Sequence, residues 1–170
     1  KANDLADRGD TQAAMAELRA LEGFGPAHAN LALLLEQAHD LEGAINQHRL
    51  ACALMPGHPQ IWFNAGTALE HARHYGESET AYRQALALKP DFAEGWHNLG
   101  NCLQEQGRAR EADQAFRQAL ALRPDFPEAR SSRETAATAK ASTTATRDVA
   151  AGEDSVELSP LARALANLRA

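Results

Sequence analysis

Apolar and small residues recur along this chain at helical spacing, in segments of similar length that short polar turns separate. In residues 11–21, Ala14, Leu18 and Leu21 lie at positions i, i+4 and i+7, which places them on one face of a helix. The segments that follow consist mostly of Ala, Leu, Gln, Glu and Arg, which favour helices. Helices are therefore predicted at residues 11–21, 26–38, 42–54, 60–72, 76–88, 94–106 and 110–122.

The predicted helices form pairs, and the pairs repeat every 34 residues. Pro56, Pro90 and Pro124 are separated by this spacing, and so are Trp62 and Trp96. A proline ends each pair because the residue before a proline is biased away from the helical conformation. A fixed period of this length is typical of stacked helix pairs, since one pair cannot bury its apolar face alone.

Three consecutive units carry the same residue types in phase. The first unit has His28 and His48 where the other two have aromatic residues. The third unit is the most complete, with Trp96, Leu99, Gly100, Leu103, Gly107, Ala112, Phe116, Ala119 and Pro124. This pattern resembles the W-x2-L-G-x2-Y…A-x3-F…P signature of the tetratricopeptide repeat family over roughly residues 1–130. The resemblance implies an all-α, right-handed α-solenoid of antiparallel helix pairs.

Departures from the period divide the chain further. Residues 127–140 stay in phase but are rich in Ser, Thr and Arg, which indicates a capping helix with a polar outer face. Residues 141–158 are rich in Ala, Ser and Thr, which predicts a flexible linker. We expect a solenoid at 1–140 (a partial repeat at 1–24, full repeats at 25–58, 59–92 and 93–126, and the capping helix at 127–140), the linker at 141–158 and a short amphipathic helix at 159–170.

The C-terminal helix predicted at 159–170 is too short to be stable alone in water. It could begin a further domain, fold back on the array or serve as a peptide for another protein. We favour docking on its own array or on a neighbouring copy, because its leucine stripe would lie beside an array with open ends. Deletion of residues 141–170 tests this interpretation through the melting temperature and the oligomeric state.

The small residues of the repeat indicate close packing. Gly66 and Gly100 are expected where the first helix of a pair approaches the second. Cys52 and Cys102 are expected to be buried as small apolar residues. Gly107 marks the turn of the third pair, whereas the glycine at position 76 lies later in the second pair, which predicts a different turn there.

Composition and charge limit the possible partners. The chain has a net charge of −6, and residues 1–130 hold 12 Lys and Arg against 18 Asp and Glu. A nucleic-acid partner is not expected, because phosphate backbones are bound by basic surfaces. No apolar run approaches the ~18 residues of a membrane-spanning helix, so we expect no membrane partner and a cytoplasmic location.

The sequence carries no recognisable pattern for catalysis or for metal or cofactor binding. None of the 7 histidines combines with cysteine at zinc-site spacing. Gly23-Phe24-Gly25 follows no predicted strand and precedes no Gly-Lys-Ser, so it is not a phosphate-binding loop. No Ser or Cys lies in a known nucleophile motif. We therefore expect a protein that is not an enzyme and has no cofactor.

The family resemblance implies a ligand-binding groove, because the first helices of tetratricopeptide pairs line the concave face of the array. Asn30, Asn64 and Asn98 are in register there, and an amide can both donate and accept a hydrogen bond. Such a ladder could bind the backbone of an extended peptide, and it resembles the asparagine ladder of O-GlcNAc-transferase-type arrays. The alternative is that each asparagine packs or caps locally. The implied groove positions are Asn30, Leu33, Glu36, Gln37, Phe63, Asn64, Thr67, Glu70, His71, His97, Asn98, Asn101, Gln104 and Glu105.

None of these groove positions is basic, which argues against the carboxylate clamp that binds acidic chaperone C-termini. Glu36, Glu70 and Glu105 favour a neutral or mildly basic ligand. We expect a non-catalytic scaffold or adaptor that holds a peptide or partner protein in the groove. The alternatives are the substrate-recruiting module of a larger glycosyl- or sulfotransferase, and a repeat protein that self-associates through its C-terminal helix or its open repeat ends.

Overall fold

The computed structural model describes residues 11–21 and 23–138, and the regular structure of this part of the chain is helical. The six helices between residues 25 and 122 begin and end within one residue of the predicted bounds. The interpretations of residues 1–10, of the end of the capping helix, of the linker and of the C-terminal helix lie outside the described residues. The helices are α1 (Thr11–Arg19), α2 (Gly25–Gln37), α3 (Leu41–Leu54), α4 (Pro59–His71), α5 (Tyr75–Leu88), α6 (Ala93–Glu105), α7 (Ala109–Leu122) and α8 (residues 127–138).

The helices stack in chain order as antiparallel pairs. Helix α2 packs on α3, α4 on α5 and α6 on α7, and each pair packs on the next. Ala51, Ala85 and Ala119, one period apart, are completely buried and let neighbouring helices approach closely. The predicted all-α solenoid is therefore confirmed. Within the described residues no helix combines the length and the apolar character needed to cross a bilayer.

The three turns within the pairs share one conformation. His39, Arg73 and Gly107, one period apart, have φ values of 61°, 63° and 74°. In each turn the next amide donates to the carbonyl five residues earlier, at 2.8 to 2.9 Å, as in a Schellman motif. The prediction of a different second turn is wrong, because Gly76 lies inside α5 and Arg73 takes the left-handed conformation instead.

Two aromatic rings of the second helices lie directly on glycines of the first helices. Tyr82 and Phe116 are completely buried. A Cβ atom at Gly66 would lie 2.6 Å from the Tyr82 ring, and one at Gly100 would lie closer still to the Phe116 ring. The predicted role of these two glycines in helix approach is therefore confirmed.

The tryptophans of the first helices hydrogen-bond to the chain segments that connect one pair to the next. Trp62 and Trp96 are half-buried, and each indole N–H donates to the carbonyl of the proline six residues earlier, at 2.9 Å. One period later, Arg130 of α8 donates to the Pro124 carbonyl at 3.0 Å. A guanidinium thus replaces the indole in the capping helix, where the outer face meets water.

The connection between α1 and α2 departs from the period. Helix α1 ends at Arg19, and Leu21, which was predicted on the same helix face as Ala14 and Leu18, is 48% exposed. The prediction for Leu21 is wrong because the helix has already ended and the chain turns through Gly23, whose φ is 78°. Ala14 and Leu18 are buried in a cluster with residues of α2, as predicted.

The junctions between pairs use two kinds of contact at one register position. Ile45 of α3 is buried in an apolar cluster with residues of α4 and α5. One period later, Glu79 of α5 forms an ion pair with Arg108 of the next pair. Two periods later, Asp113 of α7 accepts a hydrogen bond from Arg133 of α8 at 3.0 Å. At this register position the first junction is thus apolar and the next two are held by carboxylate–guanidinium pairs, while an exposed ion pair between Arg49 and Glu77 also crosses the first junction.

Candidate binding groove

The first helices of the pairs, α2, α4 and α6, carry the side chains that were predicted to bind a ligand. Helices α4 and α6 contact each other directly, in addition to their contacts with α5. Equivalent positions of these two helices therefore lie side by side. The predicted groove residues are half-buried at Asn30, Glu36, Phe63, Asn64, Thr67, Glu70, His97, Asn98, Asn101 and Gln104, and exposed at Leu33, Gln37, His71 and Glu105.

One cavity of about 390 Å³ lies between α4 and α6. Five of the predicted groove residues line it, and the structure brings no other predicted groove residue to its wall. Tyr75, the first residue of α5, completes the lining and was missed by the sequence analysis, which placed position 75 in a turn. The lining residues are Glu70, His71, Tyr75, Asn101, Gln104 and Glu105.

The Tyr82 hydroxyl connects the buried core of the second pair to this cavity. It donates to Glu70 Oε2 at 2.6 Å and lies 3.3 Å from Thr67 Oγ1. Burial raises the pKa of Glu70, although the hydrogen bond from Tyr82 and the nearby His71 oppose the rise. Burial also raises the pKa of Tyr82 far above its ordinary value, and the charge of Glu70 adds to this effect. Tyr82 is therefore a neutral hydroxyl that holds one carboxylate oxygen of Glu70.

The equivalent contacts of the first and third pairs differ in chemistry. In the first pair, His48 is 1% exposed and its Nε2 lies 2.8 Å from Glu36 Oε1. In the third pair, Phe116 has no polar atom, and Gln104 Oε1 is buried without a hydrogen-bond partner among the described residues. An imidazole, a phenol and a phenyl ring thus lie behind the same groove position of successive pairs.

The three asparagines in register do not share one set of partners. Asn64 Oδ1 accepts a hydrogen bond from Gln60 Nε2 at 3.0 Å. Asn98 lies within hydrogen-bonding reach of the Tyr82 hydroxyl, and Asn30 also interacts within the protein. Each amide has two donor and two acceptor sites, so an internal contact leaves capacity for a ligand. The asparagine ladder stays a prediction.

Two predicted groove residues use their rings for packing. The Phe63 ring centre lies 4.8 Å from that of Phe92, the residue before α6. The His97 ring, one period later, lies 4.9 Å from that of Phe126, the residue before α8. Burial lowers the pKa of His97 below its ordinary value, so the ring packs as a neutral group. The repeated Asp-Phe pair after the last two pair-ending prolines was the sequence signal for this packing.

The carboxylates among the predicted groove residues are not accompanied by Lys or Arg. Lys and Arg are absent from the predicted groove positions, whereas Glu36, Glu70 and Glu105 are among them.

Burial raises the pKa of Cys52 to about 11 and also raises that of Cys102, so both thiols stay protonated at neutral pH. Within residues 11–21 and 23–138, no group of three His, Cys, Asp or Glu side chains could hold a metal ion.

The fold and its register define a class of protein, the helical repeat arrays in which antiparallel helix pairs stack into a right-handed solenoid. The sequence profile of the family described as tetratricopeptide repeat matches residues 93–126, and a second profile, described as TPR repeat, matches residues 74–107. Together the two matches cover residues 74–126 of this chain. No curated protein matches the sequence.

Solved structures of tetratricopeptide proteins share this fold at low sequence identity. A crystal structure of MamA protein is 18% identical, with a TM-score of 0.78 over 82% of this chain and 79% of the MamA chain. The Arabidopsis OM64 TPR domain is 18% identical, with a TM-score of 0.63 over 66% of this chain and 93% of that domain. The first TPR of Spaghetti (RPAP3), bound to the HSP90 peptide SRMEEVD, is 17% identical, with a TM-score of 0.66 over 69% of this chain and 93% of that one.

Proposed function

We propose that this chain is a non-catalytic protein–protein interaction module that binds an extended peptide segment of a partner along α2, α4 and α6. The observation that carries the proposal is the convergence of five predicted groove residues on one cavity of about 390 Å³. A cavity with convergent polar groups on a rigid scaffold is the usual form of a binding site. Helices hold these side chains in fixed positions, so the ligand meets a preorganised surface.

The asparagines in register support binding of the peptide backbone. Asn64 and Asn98 are half-buried on neighbouring helices. Because packed helices lie ~8–10 Å apart and an extended chain rises ~3.4 Å per residue, their amides can reach peptide groups about three residues apart. Because an amide pairs with any peptide group, such contacts give affinity that does not depend on the ligand side chains. The resemblance to asparagine ladders of O-GlcNAc-transferase-type arrays agrees with this mode.

The peptide-bound RPAP3 domain supports peptide binding by this fold but not the same ligand chemistry. The peptide SRMEEVD in that complex carries two glutamates and an aspartate. The predicted groove residues of this chain include no Lys or Arg, and three of them are glutamates. An acidic peptide would bring like charges together here, which is unfavourable. We therefore propose a neutral or basic peptide as the ligand.

The proposal is tested by affinity capture from lysate with the wild-type chain, the Asn64→Ala/Asn98→Ala variant and the matched control Asn46→Ala. Asn46 is exposed on α3, the second helix of its pair. Substitution of the exposed Asn46 should change stability by about 0.5 kcal/mol or less, and loss of the internal hydrogen bonds of Asn64 and Asn98 should cost about 1 kcal/mol each, so circular dichroism should show folded proteins in all three cases. A partner held by the wild type and the control but lost by the double variant is the expected result.

Hydrogen exchange of the captured complex then locates the contact. Protection of amides in α4 and α6 is expected if the partner lies in the groove. Equal capture by the double variant, with protection confined to α3, α5 or α7, would move the binding surface off this face. Sedimentation that depends on concentration, with no captured partner, would favour the self-assembly alternative.

A further inference from the structure

The cavity between α4 and α6 contains more hydrogen-bond acceptors than its own donors satisfy. Glu70 Oε2 accepts from the Tyr82 hydroxyl, and Glu105 Oε2 accepts from the Tyr75 hydroxyl at 3.2 Å. The other oxygen of each carboxylate has no hydrogen bond to the described residues. Gln104 Oε1, on the same wall, is buried and also lacks a partner. Three acceptor oxygens on two helices thus lack a donor.

Among the residues that the structure describes, no Lys or Arg compensates the two carboxylates. Apart from His71, no lining side chain can carry positive charge. Arg73 is the arginine next to the cavity in the chain, and its guanidinium lies 6.0 Å from the centre of the Tyr75 ring. It forms no ion pair with a carboxylate in the described part of the chain. By contrast, Glu79 and Asp113 on the second helices are both paired with arginine.

We propose that this cavity receives a lysine or arginine side chain of the bound peptide, so that the groove selects a basic residue where the ligand passes between α4 and α6. The inference rests on the proposed peptide-binding function and adds the chemistry of one ligand position. An ammonium or guanidinium group supplies several donors and one positive charge, which matches the negative charges and the unpaired oxygens of Glu70 and Glu105. The tyrosine hydroxyls hold both carboxylates in place before the ligand arrives.

The raised pKa of Glu70 agrees with this arrangement. Burial raises it most, and the nearby charge of Glu105 adds to the rise. A bound cation would favour the charged form of Glu70, and its attraction to both carboxylates would offset the repulsion between them. The ligand therefore relieves an electrostatic cost that is present in the free protein.

The experiment titrates the full chain with three short blocked peptides of Gly, Ser and Ala that differ only in a central Arg, Lys or norleucine. Amide shifts of Glu70, Asn101 and Glu105 in two-dimensional nuclear magnetic resonance spectra report binding. The Arg and Lys peptides are expected to bind at least ~10-fold more tightly than the norleucine peptide, with the difference shrinking as salt is raised.

Variants assign the effect to the cavity. Glu70→Gln with Glu105→Gln keeps acceptors for both tyrosine hydroxyls and removes the charges, so it should abolish the preference for Arg and Lys. Glu42→Gln is the matched control, because Glu42 is exposed in the first turn of α3 and lies outside the cavity. It removes one charge from the same protein and should leave the preference unchanged.

The outcomes separate this inference from the function on which it rests. Equal binding of the norleucine and Arg peptides at these amides would overturn the basic selectivity and leave peptide binding intact. Shifts by none of the three peptides would also overturn it, while capture of a partner by the asparagine experiment would still support the groove. Selectivity that survives Glu70→Gln/Glu105→Gln would place the basic residue elsewhere.

Discussion

The first and third helix pairs fill equivalent interiors with different atoms. In the third pair, Phe116 lies on Gly100, and neither position leaves room for another carbon. In the first pair the equivalent positions are His48 and Ala32, both buried. The larger phenyl ring of Phe116 is paired with Gly100 on the first helix of its pair, and the smaller imidazole of His48 is paired with the larger Ala32. The repeat therefore conserves the joint volume of two helices, as close-packed interiors require.

The same comparison extends to polarity at the groove. His48 hydrogen-bonds to Glu36, whereas Phe116 leaves the equivalent Gln104 with a buried, unpaired oxygen. The buried ring thus decides whether the groove side chain in front of it has an internal hydrogen-bond partner. At this position the carboxylate of the first pair has an internal partner and the amide oxygen of the third pair has none, although His48 Nδ1 is also buried without a partner among the described residues.

The largest expected effect comes from emptying the tighter interior. Phe116→Ala should destabilise the protein by about 3–5 kcal/mol, because it removes a completely buried ring and leaves a cavity. His48→Ala should cost roughly half as much, since a smaller ring and one hydrogen bond are lost. Urea unfolding followed by circular dichroism measures both. Equal losses would mean that the two interiors are packed equally tightly, against the comparison.

The joint-volume interpretation is tested by moving the first pair's residues into the third. Gly100→Ala should destabilise by about 1–3 kcal/mol, because its Cβ would collide with the Phe116 ring. Adding Phe116→His should make the alanine tolerable, so the double-mutant cycle should show a favourable coupling of about 1 kcal/mol or more. Additive effects of the two substitutions would show that the positions are independent.

Substitutions in the turns of the first and third pairs should have smaller effects on stability, and of opposite sign. Gly107→Ala should destabilise by about 1–2 kcal/mol, because alanine has a side-chain clash at φ near +74°. His39→Gly should stabilise by roughly 0.5–1 kcal/mol, because histidine already bears this strain at φ near +61°. Thermal unfolding of both variants is the measurement. A loss of stability in His39→Gly would show that its side chain makes contacts that outweigh the backbone strain.

The smallest effect concerns Glu70 in the intermediate pair and depends on pH. Its folded pKa is raised by burial, so the protonated form favours folding and the ionised form opposes it as pH rises through that pKa. Glu70→Gln should therefore stabilise the protein at neutral pH by roughly 0.5 kcal/mol, a small value because the group is partly exposed to solvent. The gain should vanish below the unfolded pKa. Melting temperatures across this pH range measure it, and a gain that persists in acid would assign the effect to packing.

The period of the sequence was enough to predict the helices and the close approach of the paired helices at Gly66 and Gly100, because every pair must present the same small residues to its neighbour. The left-handed conformation of Arg73 was not predictable, because glycine is the residue that usually marks such a turn. Gly76 therefore led to a wrong prediction of the turn position in the second pair. Tyr75 was missed for the same reason. Leu21 was misassigned because its helix ends before the apolar pattern does. The carboxylate–arginine pairs at Glu79 and Asp113 were not predicted, because Ile45 occupies the equivalent position in the first pair and the position therefore shows no repeated charge.

The Tyr82 hydroxyl has a consequence for how such a surface diversifies. Removing that single oxygen changes neither the volume nor the shape of the ring, yet it frees an oxygen of Glu70 beside the cavity that we propose as a ligand site. Substitutions at a site that no ligand touches can thus alter what the groove recognises. In a lineage of duplicated repeats, exchange among His, Tyr and Phe at this one interior site would give each unit its own preference while the outer face keeps its sequence.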